Sequence, residues 1–153
     1  AAKGYKESNF SSFERSNGKA SETPDATSIN VNFSSDLFNT SYAYDQASNT
    51  YFRSLAGEPH NDREAGQIAP SVIVVMKVST QSRGGSDGYE DLVTSGSGQA
   101  YIFQNGVARE VTWKKDDHSS PLKLTDSEGK NVKLNRGQTW VAAITDRGSV
   151  SWQ

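Results

Sequence analysis

The stretch "AYIFQNGVAREVTW", Ala100 to Trp113, constrains the fold more than any other part of the chain. Asn105 and Gly106 both tolerate positive φ, as the central residues of a type I′ turn must, and runs of equal length flank them. The segment predicts a two-residue β-hairpin with Phe103 opposite Ala108 and Ile102 opposite Arg109. In that register Tyr101 and Phe103 share one face, while Ile102, Val111 and Trp113 share the other. Both faces carry apolar groups, so the hairpin needs cover on each side.

The rest of the chain carries the same punctuation. "SYAYDQASNTYFRSL" places two aromatic-rich runs around "DQASN", which predicts a hairpin with a loop of about four or five residues. Further reversals are expected at Ser127 to Lys130 and, between "WVAAIT" and "SVSW", at Asp146 to Gly148. Val72 to Val78 is nearly continuous in β-branched apolar residues and does not alternate, the pattern of a strand buried on both faces. With "TWVAAIT" it is expected to form the spine of the sheet. Helix signals are few. Asn61 followed by Glu64 resembles a capping box opening one or two turns limited by Gly66 and Pro70, and "SSDLFN" suggests another turn. Gln81 to Gly98 reads as a flexible loop. The expected class is α+β and β-rich: a bent antiparallel or mixed sheet built from successive hairpins, with one or two short helices.

A chain of 153 residues fits one domain able to bury roughly two-thirds of its unfolded surface. Residues 1–26 hold few aliphatic side chains, too few to offset the entropy of ordering them, and read as a linker or loose arm with a short ordered piece around Phe10 to Phe13. The folded domain is then 27–153. With hydrophobic residues at only 33% and a mean hydropathy of -0.71, the core must draw on the few dense segments.

Sixteen Lys plus Arg against eighteen Asp plus Glu give a net charge of -2, without a basic run. Nucleic acid, which needs a concentrated positive surface, is excluded as the expected partner. The chain has no cysteine, which removes disulfides, thiolate catalysis and cysteine-based metal sites, and favours export over a cytosolic setting. No apolar stretch approaches the ~20 residues of a membrane-spanning helix, and the first ten residues do not form a signal peptide. No phosphate loop, dinucleotide fingerprint or nucleophile elbow is present, and no cofactor or metal is expected.

Chemistry concentrates in "LAGEPHNDREAG", Leu55 to Gly66, which holds one of the two histidines. His60 and Asp62 are the candidate catalytic pair, a general base and the carboxylate that orients it. The competing reading has both hydrogen-bonding loop backbone. Arg53 should share a face with Tyr51, so its guanidinium either pairs with Asp62 or receives a ligand carboxylate. Tyr44, Tyr51 and Trp113, with Tyr42, form either a stacking platform for a ligand or ordinary cross-strand core.

The phrases "NVNFSS", "YAYDQASNTYFRSLAGEPHND", "APSVIVVMKV", "GQAYIFQNGVAREVTWKK" and "LTDSEGKNVKLNRGQTWVAAI", with the closing "GSVSW", fall in an order that resembles the C-terminal half of the YerB-like family, from about Ala26 to Gln153. These are bacterial predicted lipoproteins whose domain is named as one of unknown function. The family's Tyr-x-Arg…Gly-x-Pro-His-x-Asp phrase matches here as Tyr51, Arg53, Gly57, Pro59, His60 and Asp62. "VMKVS" departs mildly from the family in the loop that follows it. The resemblance implies an extracytoplasmic, lipid-anchored protein whose companion N-terminal domain and lipid-modified cysteine are not in this sequence, so the chain reads as a fragment. Two functions follow as expectations. The favoured one is a non-enzymatic module binding a cell-envelope component or protein partner through Tyr51, Arg53, His60 and Asp62. The alternative is an envelope hydrolase or transferase using His60 and Asp62.

Overall fold

The computed structural model describes residues 13–84 and 89–153. In chain order its strands are β1 (Arg15–Ser16), β2 (Ser28–Asn32), β3 (Thr40–Asp45), β4 (Thr50–Leu55), β5 (Glu58–Pro59), β6 (Asn61–Asp62), β7 (Gly66–Gln67) and β8 (Val72–Lys77). There follow β9 (Ser79–Ser82), β10 (Glu90–Val93), β11 (Gly96–Gln104), β12 (Val107–Lys115), β13 (Lys123–Thr125), β14 (Leu134–Asn135), β15 (Thr139–Ile144) and β16 (Ser149–Trp152).

The Asn105-Gly106 hairpin forms in the expected register, with Phe103 facing Ala108 and Ile102 facing Arg109. Both turn residues take positive φ, 61° and 78°. Strand β8 pairs with β11 on one side and, in parallel, with β15 on the other, giving a five-stranded sheet in the order β13-β12-β11-β8-β15. A second five-stranded sheet, β16-β2-β3-β4-β5, is antiparallel throughout.

The two sheets pack face to face. Ile29, Val31, Tyr42 and Tyr51 of one meet Ile73, Val75, Phe103, Ala142 and Ile144 of the other. The far face of the mixed sheet has its own core, where Val72, Val74, Met76, Ala100, Ile102, Val111, Trp113 and Leu124 are covered by Phe13, Leu122, Val132 and Leu134. The unbroken apolar run of β8 thus serves two cores at once, odd residues into one and even residues into the other.

The fold is all-β, which corrects the α+β expectation: no helix occurs among the described residues. At the expected helix start it is Asp62, not Asn61, that captures backbone, accepting from the N–H groups of Glu64 and Ala65 at 2.9 Å. Gly66 at φ 80° then reverses the chain, so β6 and β7 pair across a tight turn. The segment lacks the apolar stripe at helical spacing that would stabilise a longer helix. "SSDLFN" makes a single turn, with the N–H groups of Phe38 and Asn39 donating to the Ser35 carbonyl.

Two connections also differ from expectation. Asp146 to Gly148 does reverse the chain, but β15 and β16 enter different sheets, so the turn is a crossover rather than a hairpin. Within Gln81 to Gly98, β9 and β10 pair antiparallel; residues 85–88 lie outside the described residues, as do Phe10 to Ser12. Residues 13–26 lie along the domain: β1 pairs with β14, Arg15 donates to the Asn135 carbonyl, and the N–H groups of Asp25 and Ala26 donate to the Gly106 carbonyl.

Candidate functional site

Strand β4 positions the site. Its pairing with β3 sets Tyr42 opposite Arg53 and Tyr44 opposite Tyr51. The excursion from Ala56 to Pro70 then folds back along the free edge of β4. The N–H groups of Tyr51 and Arg53 donate to the carbonyls of Pro70 and Ile68, the Arg53 carbonyl accepts from the His60 N–H, and the His60 carbonyl accepts from Ile68. Gln67 adds a bond from Nε2 to the Arg53 carbonyl at 2.9 Å. The backbone of Arg53 is therefore held on every side.

Among the described residues its side chain completes no hydrogen bond, although the Tyr42 hydroxyl lies beside it. Arg53 is only 5% exposed, yet Nε and Nη1 are buried without a hydrogen-bond partner, and the ion pairs among the described residues all lie elsewhere. Aromatic rings surround the guanidinium instead. Its carbon lies 4.2 Å from the centroid of Trp140 and 6.0 Å from that of Tyr42. His60 meets the same indole edge-on at 6.2 Å.

More unpaired groups collect here. The hydroxyls of Thr40 and Tyr42 and Nδ1 of His60 are buried with no partner. Burial raises the Tyr42 phenol above its ordinary pKa, while Thr40 and Arg53 beside it pull the other way without completing a hydrogen bond. Such groups ordinarily find partners inside proteins, and each that does not costs on the order of 1–3 kcal/mol, more for a charge. Five such atoms on four neighbouring residues collect here, where a polar ligand or ordered water would supply the partners they lack. An open cleft of about 690 Å³ adjoins it, walled by residues 65–70 on one side and by Gln138, Thr139 and Trp140 on the other. Trp140 belongs to both, stacking on Arg53 and lining the cleft.

The residues expected from sequence separate into two groups. Arg53 and His60 meet at this cluster. Asp62 lines the cleft, but its carboxylate is exposed and occupied by the turn it closes, which holds its pKa below the ordinary value. It orients nothing on His60, so the pair does not form a catalytic dyad in this structure. Tyr51, a candidate ligand contact, points inward instead; its hydroxyl accepts from the Gly106 N–H at 2.9 Å and fastens the two sheets together. Tyr44 donates to Asn49 at 2.8 Å and packs on Tyr51, with centroids 4.9 Å apart. Trp113 lies in the other core, donating to the Lys77 carbonyl, so no platform of Tyr44, Tyr51 and Trp113 is assembled.

Sequence reasoning did not assign Thr40 or Trp140 to the site. Thr40 was within reach, since the β3–β4 register puts Tyr42 opposite Arg53 and Thr40 two residues away on the same face. Trp140 depends on the parallel pairing of β15 with β8, for which no local signal exists.

Comparison with known proteins agrees with this architecture. A search of curated proteins finds no match. Among solved structures, the chain is similar to the crystal structure of YerB protein from Bacillus subtilis, with a TM-score of 0.72 and 25% identity, over 87% of this chain and 46% of that one. The chain thus spans less than half the length of that protein. Residues 29–141 match the family described as "Protein of unknown function (DUF3048) C-terminal domain". With most of its length inside that match and a YerB-like fold, the chain belongs to the DUF3048 C-terminal domain family, whose function is unknown.

Proposed function

We propose that the chain is the ligand-binding module of an extracytoplasmic, lipid-anchored protein, and that the buried cluster at Arg53, next to the cleft that Trp140 lines, receives an anionic group of a cell-envelope component or protein partner. One observation carries the reading: a buried guanidinium with unpaired N–H groups and, among the described residues, no counter-charge. Burying a cation costs several kcal/mol, and a site in which the missing anion arrives with the ligand accounts for that cost. The unpaired hydroxyls of Thr40 and Tyr42 and the His60 nitrogen offer further polar contacts to the same group. The complete absence of cysteine and the resemblance to YerB-like lipoproteins support the extracytoplasmic setting.

The test is a titration with acetate, glutarate and phosphate, followed by tryptophan fluorescence, since Trp140 reports directly on Arg53. A saturable change that vanishes in a folded Arg53→Gln variant supports the reading. No response to any of the three, or a response unchanged in that variant, overturns it. Protease treatment of intact cells carrying the full-length protein tests the location; cleavage only after lysis would refute the extracytoplasmic placement.

A further inference from the structure

We infer that the ligand is an extended peptide segment of a partner protein, which adds as a strand to the open edge of β15 and places a carboxylate at Arg53. The inference rests on the anion-binding reading above and adds what carries the anion.

Strand β15 is an outermost strand of the mixed sheet. The carbonyls of Gln138 and Ile144, at its two ends, accept from Val72 and Val78 and so face β8. The two-residue period of a strand turns the backbones of Trp140 and Ala142 the same way and leaves those of Thr139, Val141 and Ala143 facing outward. Among the described residues these outward groups have no backbone partner.

Folded proteins guard such edges with brevity, charge, proline or a bulge. Here β5 and β13 have two and three residues and carry Pro59 and Lys123, and β16 has four. Strand β15 has six residues with neither charge nor proline, and Val141 stands 45% exposed on it. A cleft opens at each end: the one beside Arg53, and one of about 250 Å³ lined by Ala143, Ile144 and the exposed Leu92. The edge between them offers roughly 20 Å of unpaired backbone, the length of a six-residue strand. That is the geometry of strand addition, in which main-chain bonds supply affinity and flanking pockets read side chains.

Charge selects the occupant. Arg15 is anchored at the start of β15 by bonds to Thr139 Oγ1 and the Asn135 carbonyl, and Arg53 lies under Trp140. The carboxylate lining this end, that of Asp62, is occupied by its own turn. A second copy pairing through β15 would bring the uncharged "TWVAAI" and no acid. A peptide with an acidic side chain or free C-terminus matches both the edge and the arginines.

The experiment pans a phage-displayed library of random octapeptides on the protein, on Val141→Pro, which removes an outward N–H, and on Arg53→Gln. If Val141→Pro does not fold, Val141→Lys, a charged edge guard, replaces it. The expected result is enrichment of peptides bearing a carboxylate, with each synthesised peptide binding at least about tenfold more weakly to either variant. Absence of enrichment, or equal enrichment on the edge variant, overturns strand addition; the acetate titration then decides separately whether the arginine site stands. Edge-dependent peptides that lack acids and ignore Arg53→Gln overturn the anion reading as well. Sedimentation showing a dimer that Val141→Pro dissociates assigns the edge to a second copy and overturns the peptide.

Discussion

The guanidinium of Arg53 lies over the indole of Trp140, 4.2 Å from the ring centroid. A desolvated cation–π contact contributes about 2 kcal/mol. Removing an unpaired cation from water costs more than that, so the aromatic ring reduces the penalty without cancelling it. If Arg53 is kept for a ligand, as proposed above, the domain alone should be more stable without its charge.

Arg53→Met is accordingly expected to stabilise the domain by about 1–3 kcal/mol, since the thioether side chain fills much of the same space among Trp140 and Tyr42 without the charge. Anion binding should disappear in the same variant. Urea unfolding at neutral pH checks the first half; a destabilised variant would mean that the guanidinium holds the fold together.

Two buried tyrosines on neighbouring strands should respond in opposite ways to loss of the hydroxyl. Tyr51→Phe leaves the Gly106 N–H without its acceptor and should cost about 1–2 kcal/mol. Among the described residues the Tyr42 hydroxyl completes no hydrogen bond, so Tyr42→Phe should be neutral or mildly stabilising, while weakening ligand binding. Thermal unfolding of both variants side by side provides the comparison.

What the sequence disclosed was what local chemistry controls. The Asn105-Gly106 turn needs two positive φ values that few dipeptides supply, and its flanking pattern fixed faces and register together. The double burial expected of Val72 to Val78 was equally readable and holds from Val72 to Met76, because only a strand covered on both sides needs no polar alternation. Asn61 misled because the same short polar side chains cap helices and close β-turns; Asp62, one residue on, closes a turn. The site was half legible. Arg53 and His60 stand within eight residues of each other, whereas Trp140 reaches them only through a parallel pairing between segments almost seventy residues apart.

Gly106 and Gly129 have nearly the same φ, 78° and 77°, in different surroundings. A Cβ on Gly106 would stand 2.5 Å from Tyr44 Cε1 and 2.8 Å from Pro24 Cβ, whereas one on Gly129 meets nothing within 4 Å. Gly129→Ala should therefore cost only the left-handed strain, about 1 kcal/mol. Gly106→Ala adds a clash in a packed corner and should cost about 2–4 kcal/mol in all. Equal losses in urea unfolding would show that the arm around Pro24 yields freely.

Acid should weaken the domain through its turns. Asp45, Asp62, Asp117 and Asp126 each accept hydrogen bonds within a turn, chiefly from Ser48, from Glu64 and Ala65, from Ser119 and Ser120, and from Lys130, and all four titrate below their ordinary value of 3.8. Asp117 is the most displaced, to about 2. A carboxyl whose folded pKa lies below its unfolded one contributes its full stabilisation above the unfolded value and loses it as pH falls through the folded value. Stability should hold steady down to about pH 4 and decline between there and pH 2. Because these shifts arise mainly from hydrogen bonds rather than distant charges, the decline should persist in about 0.5 M salt. Carboxyl-carbon NMR titration of Asp117, with urea midpoints measured across the same pH range for the protein and for Asp117→Asn, checks both parts. A variant with an unchanged acid slope would remove Asp117 from the account.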